Sequence, residues 1–152
     1  MNTNYDEIYG LFTSKIKDHY FNHQLEMDFE FAEILMLGYL KYAIPRFTYC
    51  VQNLSLRDDE IGTFEIELSE MEKEILATFM VAAYLNPKIN SDDYLLRHLG
   101  SKDYIQFSPN NQLKELKDLQ KNTVNEANSL MIEYYYRQGL WLWNFQKTTV
   151  HI

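Results

Sequence analysis

The sequence predicts a mainly α fold: a helical bundle of about four to five helices with one long C-terminal helix, an irregular acidic loop and an extended β-like C-terminal arm. Three observations predict it. Apolar residues recur at three- and four-residue spacing along most of the 152 residues. Capping and stop residues fall at the ends of those periodic runs. The terminal stretch LWLWNFQKTTVHI departs from them, alternating with period two. The chain therefore divides into a helical domain, residues 1–138, and an arm, residues 139–152.

The first helix starts at Thr3 or Asn4, either of which can cap it, and Asp6 suits its N-terminal dipole. Ile8, Phe12 and Ile16 form its apolar stripe, and it fades near Lys17. A connection over Asp18 to Gln24 precedes a second helix from about Asp28 to Ile44. Phe31, Ile34, Leu35, Gly38, Tyr39 and Tyr42 mark its core face, and the apolar Leu37, Leu40 and Ala43 suggest burial on more than one side. Pro45 ends or kinks it, because proline lacks the amide hydrogen the helix needs, and a further turn through Phe47 and Tyr49 follows.

Val51 to Leu68 is the longest irregular stretch; Phe64, Ile66 and Leu68 alternate as a short strand would, but the flanking acids favour a loop. Ser69 caps a third helix, with Glu72 completing a capping box. Its stripe is Met71, Ile75, Phe79, Ala82 and Ala83, and Asn86-Pro87 stops it. Ser91, followed by Asp92 and Asp93, opens a short fourth helix that ends before Gly100. Ser108-Pro109 starts the longest helix, whose seam is Leu113, Leu116, Gln120, Thr123, Ala127, Leu130 and Tyr134, and Gly139 stops it. That seam is too polar for a coiled coil, so the rod packs against its own shorter helices. In the arm, Trp141, Trp143 and Phe145 alternate with Leu140, Leu142 and Asn144, and no other convincing strand exists to pair with them.

Composition narrows the function classes. The length suits one domain that buries roughly 70% of its unfolded surface. One cysteine, Cys50, excludes an intramolecular disulfide framework. No transmembrane span or signal peptide is expected, which points to an intracellular soluble protein. Of the formal net charge of −8, −6 falls between Arg57 and Glu74, where Asp58, Asp59, Glu60, Glu65, Glu67, Glu70, Glu72 and Glu74 face two basic residues. A field of that sign repels phosphate and argues against a duplex-gripping role. It suits a solvated loop and helix start, a surface that meets a basic partner, or one that must not adhere to nucleic acid.

Catalytic constellations are weak. His19 and His23 stand four apart, a spacing that can hold zinc on a helix, but the neighbouring aromatics favour a surface or interfacial pair. Cys50 reads as a buried small thiol rather than a nucleophile. Phosphate loops and dinucleotide fingerprints are absent. No catalytic, cofactor-binding or metal residue is expected, and an enzyme is not. Tyr134, Tyr135 and Tyr136 cannot all face one core, since successive helical residues lie about 100° apart, so at least one faces another surface. Tyrosine is enriched at protein interfaces.

The stretch FAEILMLGYLKYAIPRFTYC, the acidic RDDEIGTFEIELSEMEKEILATFMVAAYLNPKINS and the long SPNNQLKELKDLQKNTVNEANSLMIEYYYRQG together resemble the head–tail connector, or neck adaptor, proteins of tailed bacteriophages, over about residues 5–138. The resemblance implies a non-enzymatic virion protein of the neck region, assembled in the host cytoplasm. Copies would form a ring, usually a dodecamer, under the portal protein and extend the channel for genome ejection. The partners implied are copies of itself, the portal protein, tail or stopper proteins, and passing DNA without specific binding; no membrane is implied. The arm residues Leu140, Trp141, Leu142, Trp143 and Phe145 would reach a partner, Tyr134, Tyr135 and Tyr136 would serve as interface aromatics, and the eight acids would form an acidic surface or lumen. An alternative is a small acidic regulatory protein that binds a basic site on a host nucleic-acid-binding protein.

Overall fold

A computed structural model describes residues 1–16, 28–98 and 109–139. Its elements run β1 (Thr3–Asn4), α1 (Tyr5–Lys15), α2 (Phe29–Ala43), a 3-10 turn (Ile44–Arg46), β2 (Arg57–Asp58), β3 (Thr63–Phe64), α3 (Glu70–His98) and α4 (Pro109–Arg137). The fold is mainly helical, with a long C-terminal helix, as the periodicity predicts. The axis of the bundle is α3: α1, α2 and α4 all pack on it. Between Glu72 and Leu85 almost every side chain of α3 is buried, so this helix is apolar nearly all round rather than striped.

Local chemistry sets each helix start. The Asn4 side chain accepts from the Asp6 amide at 2.9 Å while Glu7 accepts from the Asn4 amide at 3.3 Å, a reciprocal cap. Asp28 caps α2 through the Phe31 amide at 3.1 Å. Ser69 and Glu72 form the expected box at α3, at 3.2 and 2.7 Å. Pro45 ends α2 in the 3-10 turn, which returns Phe47 to the core. Ile8, Phe12 and Ile16 are buried, as their spacing predicts. Phe12, Tyr39 and Tyr84 meet edge-on or tilted with ring centroids 5.6 to 6.0 Å apart, pinning α1, α2 and α3 together.

The acidic stretch is more ordered than a loop. β2 and β3 form a tiny hairpin, and β1 joins its other side to give an antiparallel sheet of order β1-β3-β2, with Thr3 opposite Phe64 and Arg57 opposite Phe64. The turn between them closes through the Asp58 carboxylate, which accepts from the Glu60 and Ile61 amides at 3.0 and 3.2 Å. Gly62 ends the turn at φ 79°, a conformation glycine adopts without steric cost. Thr3 ties the N-terminus to the far end of the loop: its hydroxyl donates to the Ile66 carbonyl at 2.9 Å and accepts from the Leu68 amide at 2.8 Å. The expectation that the chain has no convincing strand besides the arm is thereby corrected. Two-residue strands are too short to leave a periodic signal.

Two further expectations are overturned. The core face of α2 is Ala32, Met36, Leu40 and Ala43, with Leu35 and Tyr39 at its margin. Phe31, Ile34 and Gly38 instead lie on the exposed side. The small Ala32 and Ala43 flank Met36 and Leu40 on that inner face. Asn86-Pro87 does not stop α3, which continues to His98, so Ser91, Asp92 and Asp93 lie inside it rather than opening a separate helix. A proline removes one backbone rung, and its ring here sits on the exposed side. Across the interface Gln120 donates to the Ala82 carbonyl at 3.1 Å and to the Asn86 side chain, which braces the turn beside the break.

Against α3, the long helix buries Leu113, Thr123, Ala127, Met131 and Tyr134 and half-buries Leu116, Gln120 and Leu130, close to the predicted seam. Gly139 ends it at φ 70°, its amide donating to the Tyr136 carbonyl. Among the described residues no helix is long and apolar enough to cross a membrane. The connection 18–24, His19, His23, the Ser108 cap and the arm beyond Gly139, with Leu140, Trp141, Leu142, Trp143 and Phe145, lie outside the described residues.

Candidate functional site

The eight acids of the 58–74 segment do not form one surface. Asp58 holds the hairpin turn. Asp59 accepts from the Tyr5 hydroxyl at 2.6 Å and from Arg57 at 3.2 Å, with Lys41 at 3.7 Å. These contacts, Tyr5 foremost, hold its carboxyl below the usual carboxylate range. Glu70 pairs with Lys73, which also reaches Glu7, and Glu74 pairs with Lys15. Glu72 is only 2% exposed, which removes it from any acidic surface or lumen. Capping α3 demands one carboxylate oxygen there, and burial follows because the helix start is roofed by α4. Glu60, Glu65 and Glu67 remain exposed.

Glu72 anchors a buried polar knot. The Tyr134 hydroxyl donates to it at 2.7 Å and accepts from the Val51 amide at 3.0 Å, and the Cys50 thiol approaches it at 3.7 Å. Burial, and the adjoining carboxylate, push the Cys50 thiol up to about 11. A nucleophile needs the opposite shift, so the thiol here is a packing and hydrogen-bonding group. Tyr134 is fully buried and stacks edge-on against Phe47 at 5.1 Å. It is therefore a core residue, not an interface aromatic. Its place in the α4 seam, where every third or fourth residue meets α3, decides this. Tyr135 is half-buried and packs on Tyr49 at 5.0 Å, while Tyr136 is 57% exposed. The three successive tyrosines do diverge, as helical geometry requires.

Two helices carry large apolar side chains that are exposed. On α2 these are Phe29, Phe31 and Ile34, and on α4 they are Leu119, Ile132 and Tyr136. Beside the α2 face runs an open groove of about 430 Å³. Its walls are the start of α1 (Asp6, Tyr9), the outer side of α2 (Glu33, Ile34) and the hairpin turn (Glu60, Ile61). Among the described residues no basic side chain lines it. The sequence reading missed this groove. Glu30, Glu33 and Ile34 look like an ordinary solvated helix edge, and nothing in the sequence shows that residues 59–62 fold against them. The Tyr5–Tyr9 pair, four apart on the capped α1, was the available signal.

Among the described residues no group of three or more His, Cys, Asp or Glu could hold a metal ion. Compared with protein-family models, curated proteins and solved structures, the chain has no match.

Proposed function

We propose that the chain is a structural subunit of a tailed-bacteriophage virion, forming a ring beneath the portal that connects head to tail and extends the DNA channel. The reading begins from the resemblance of about residues 5–138 to neck adaptor proteins. The observation that carries it is the exposure of large apolar side chains on both α2 and α4, two helices that each pack on α3. A subunit of a closed ring needs two different lateral surfaces, one for each neighbour, because head-to-tail contacts are heterologous. The net charge of −8 suits a wall past which DNA slides without adhering. The reading places the protein in the virion neck, and in the host cytoplasm before assembly.

Sedimentation of the purified chain, alone and with portal and stopper proteins, tests it. The expected outcome is a ring-sized species, either from the chain alone or on the portal. Ile34→Glu should abolish that species while leaving helical circular dichroism unchanged. Deleting residues 140–152 should leave helicity intact and weaken docking. A chain that stays monomeric at every concentration and binds neither partner overturns the proposal. The acidic-regulator alternative draws less support, because Asp58, Asp59, Glu70, Glu72 and Glu74 all serve bonds inside the fold.

A further inference from the structure

Tyr9 lines the acidic groove with only 8% of its surface exposed. Its ring packs on Tyr5 at a centroid distance of 6.1 Å, and its hydroxyl has no hydrogen-bond partner among the described residues. Burial raises its pKa, and so do the charges of Glu33, Asp6 and Asp59, all of which line the same groove. The phenol and these carboxylates thus share one groove. A buried hydroxyl without a partner is uncommon and costly, and calls for a group that completes it. The Asp6, Glu30, Glu33 and Glu60 side chains around it have no cationic partner among the described residues, whereas the Asp59 carboxylate is already shared by Tyr5, Arg57 and Lys41.

We propose that this groove is a binding site for an arginine side chain carried by a partner polypeptide. Its acceptors come from three elements and lie in different directions. A planar guanidinium with five donors can serve several of them at once, including the Tyr9 oxygen, where an ammonium presents a compact, strongly hydrated charge. Leu37 and Ile34 offer an apolar wall for the methylene stem. The rim decides for a polypeptide over a free polyamine: Ile34 is 66% and Ile61 73% exposed, and the residues flanking an arginine would cover them. The inference does not rest on the ring, since a monomer would bind the same peptide.

Titration of the isotope-labelled full chain by NMR tests it, with the capped tripeptide leucyl-arginyl-leucine amide as probe. The expected result is a shift of the Gly62 and Ile34 amide signals, with binding about tenfold tighter than that of the same peptide carrying neutral citrulline, a difference of about 1.4 kcal/mol. Glu33→Gln should weaken binding about fivefold, and Tyr9→Phe about threefold, each with unchanged circular dichroism. Because Glu33 lies at the margin of the fold, its variant keeps the test valid if Tyr9→Phe disturbs packing. Equal binding of the citrulline peptide, or no shift at millimolar peptide, overturns the proposal. Spermidine that binds at the same residues as tightly as the arginine peptide overturns the polypeptide source.

Discussion

Tyr134 and Tyr9 are both buried phenols near carboxylates, yet one region of the molecule closes around its phenol and the other leaves it open. Tyr134 donates to Glu72, accepts from the Val51 amide and stacks on Phe47. Tyr9 lines a groove with Glu33 and Asp6 and has no hydrogen-bond partner among the described residues. Between them stands Tyr5, whose hydroxyl bonds the partly exposed Asp59. The same two residue types serve stability where α3 and α4 enclose them, and recognition where two helix edges and a turn merely flank them. The environment, not the residue, sets the role.

That comparison can be tested as a series of urea unfolding measurements. Tyr134→Ala should cost most, about 4 kcal/mol, because it leaves a cavity and takes the hydroxyl donor from one oxygen of a buried carboxylate. Tyr134→Phe keeps the ring and should cost about 2 kcal/mol, since Glu72 and the Val51 amide lose a partner that water cannot readily replace. A loss under 0.5 kcal/mol (an order-of-magnitude threshold) would place the knot in the open class with Tyr9. Asp59→Asn should cost about 1 kcal/mol at pH 7 and change the pH profile. Asp59 is held below its ordinary pKa in the folded state. Its stabilisation is therefore complete above the ordinary carboxylate value and is lost as pH falls through the lower, folded value. The variant should show a shallower decline below about pH 4 than the parent chain. Tyr9→Phe should change stability least, by about 0.5 kcal/mol or less in either direction, because it removes a hydroxyl that bonds nothing in the fold. A cost near that of Tyr134→Phe would show that the Tyr9 hydroxyl is satisfied internally.

Sequence patterns revealed the closed region far better than the open one. Ser69 and Glu72 announce a cap by their spacing, and Tyr134 falls on a seam that reads back through Ala127 and Thr123. Both signals are local, and the structure needed only to bring them together. On α2 nearly every position is apolar, so periodicity could not choose between faces; the close approach of α3 chose Ala32 and Ala43 and turned Phe31 and Ile34 outward. Pro87 misled for a related reason. Proline rules describe an isolated helix, while this one is held by three packed neighbours and braced by Gln120. The groove depends on the hairpin turn lying against α1 and α2, and pairing between two-residue strands leaves no trace in sequence.

The Glu72 knot also constrains how the protein can be made. Tyr134 lies 62 residues after Glu72 and 83 after Val51, so the bonds that fasten the hairpin loop to the start of α3 wait until α4 has been made. Loop closure over that span is slow compared with helix formation. During synthesis the segment before α4 must therefore emerge with the Glu72 carboxylate unroofed, and this part of the nascent polypeptide locks only when α4 clears the ribosome.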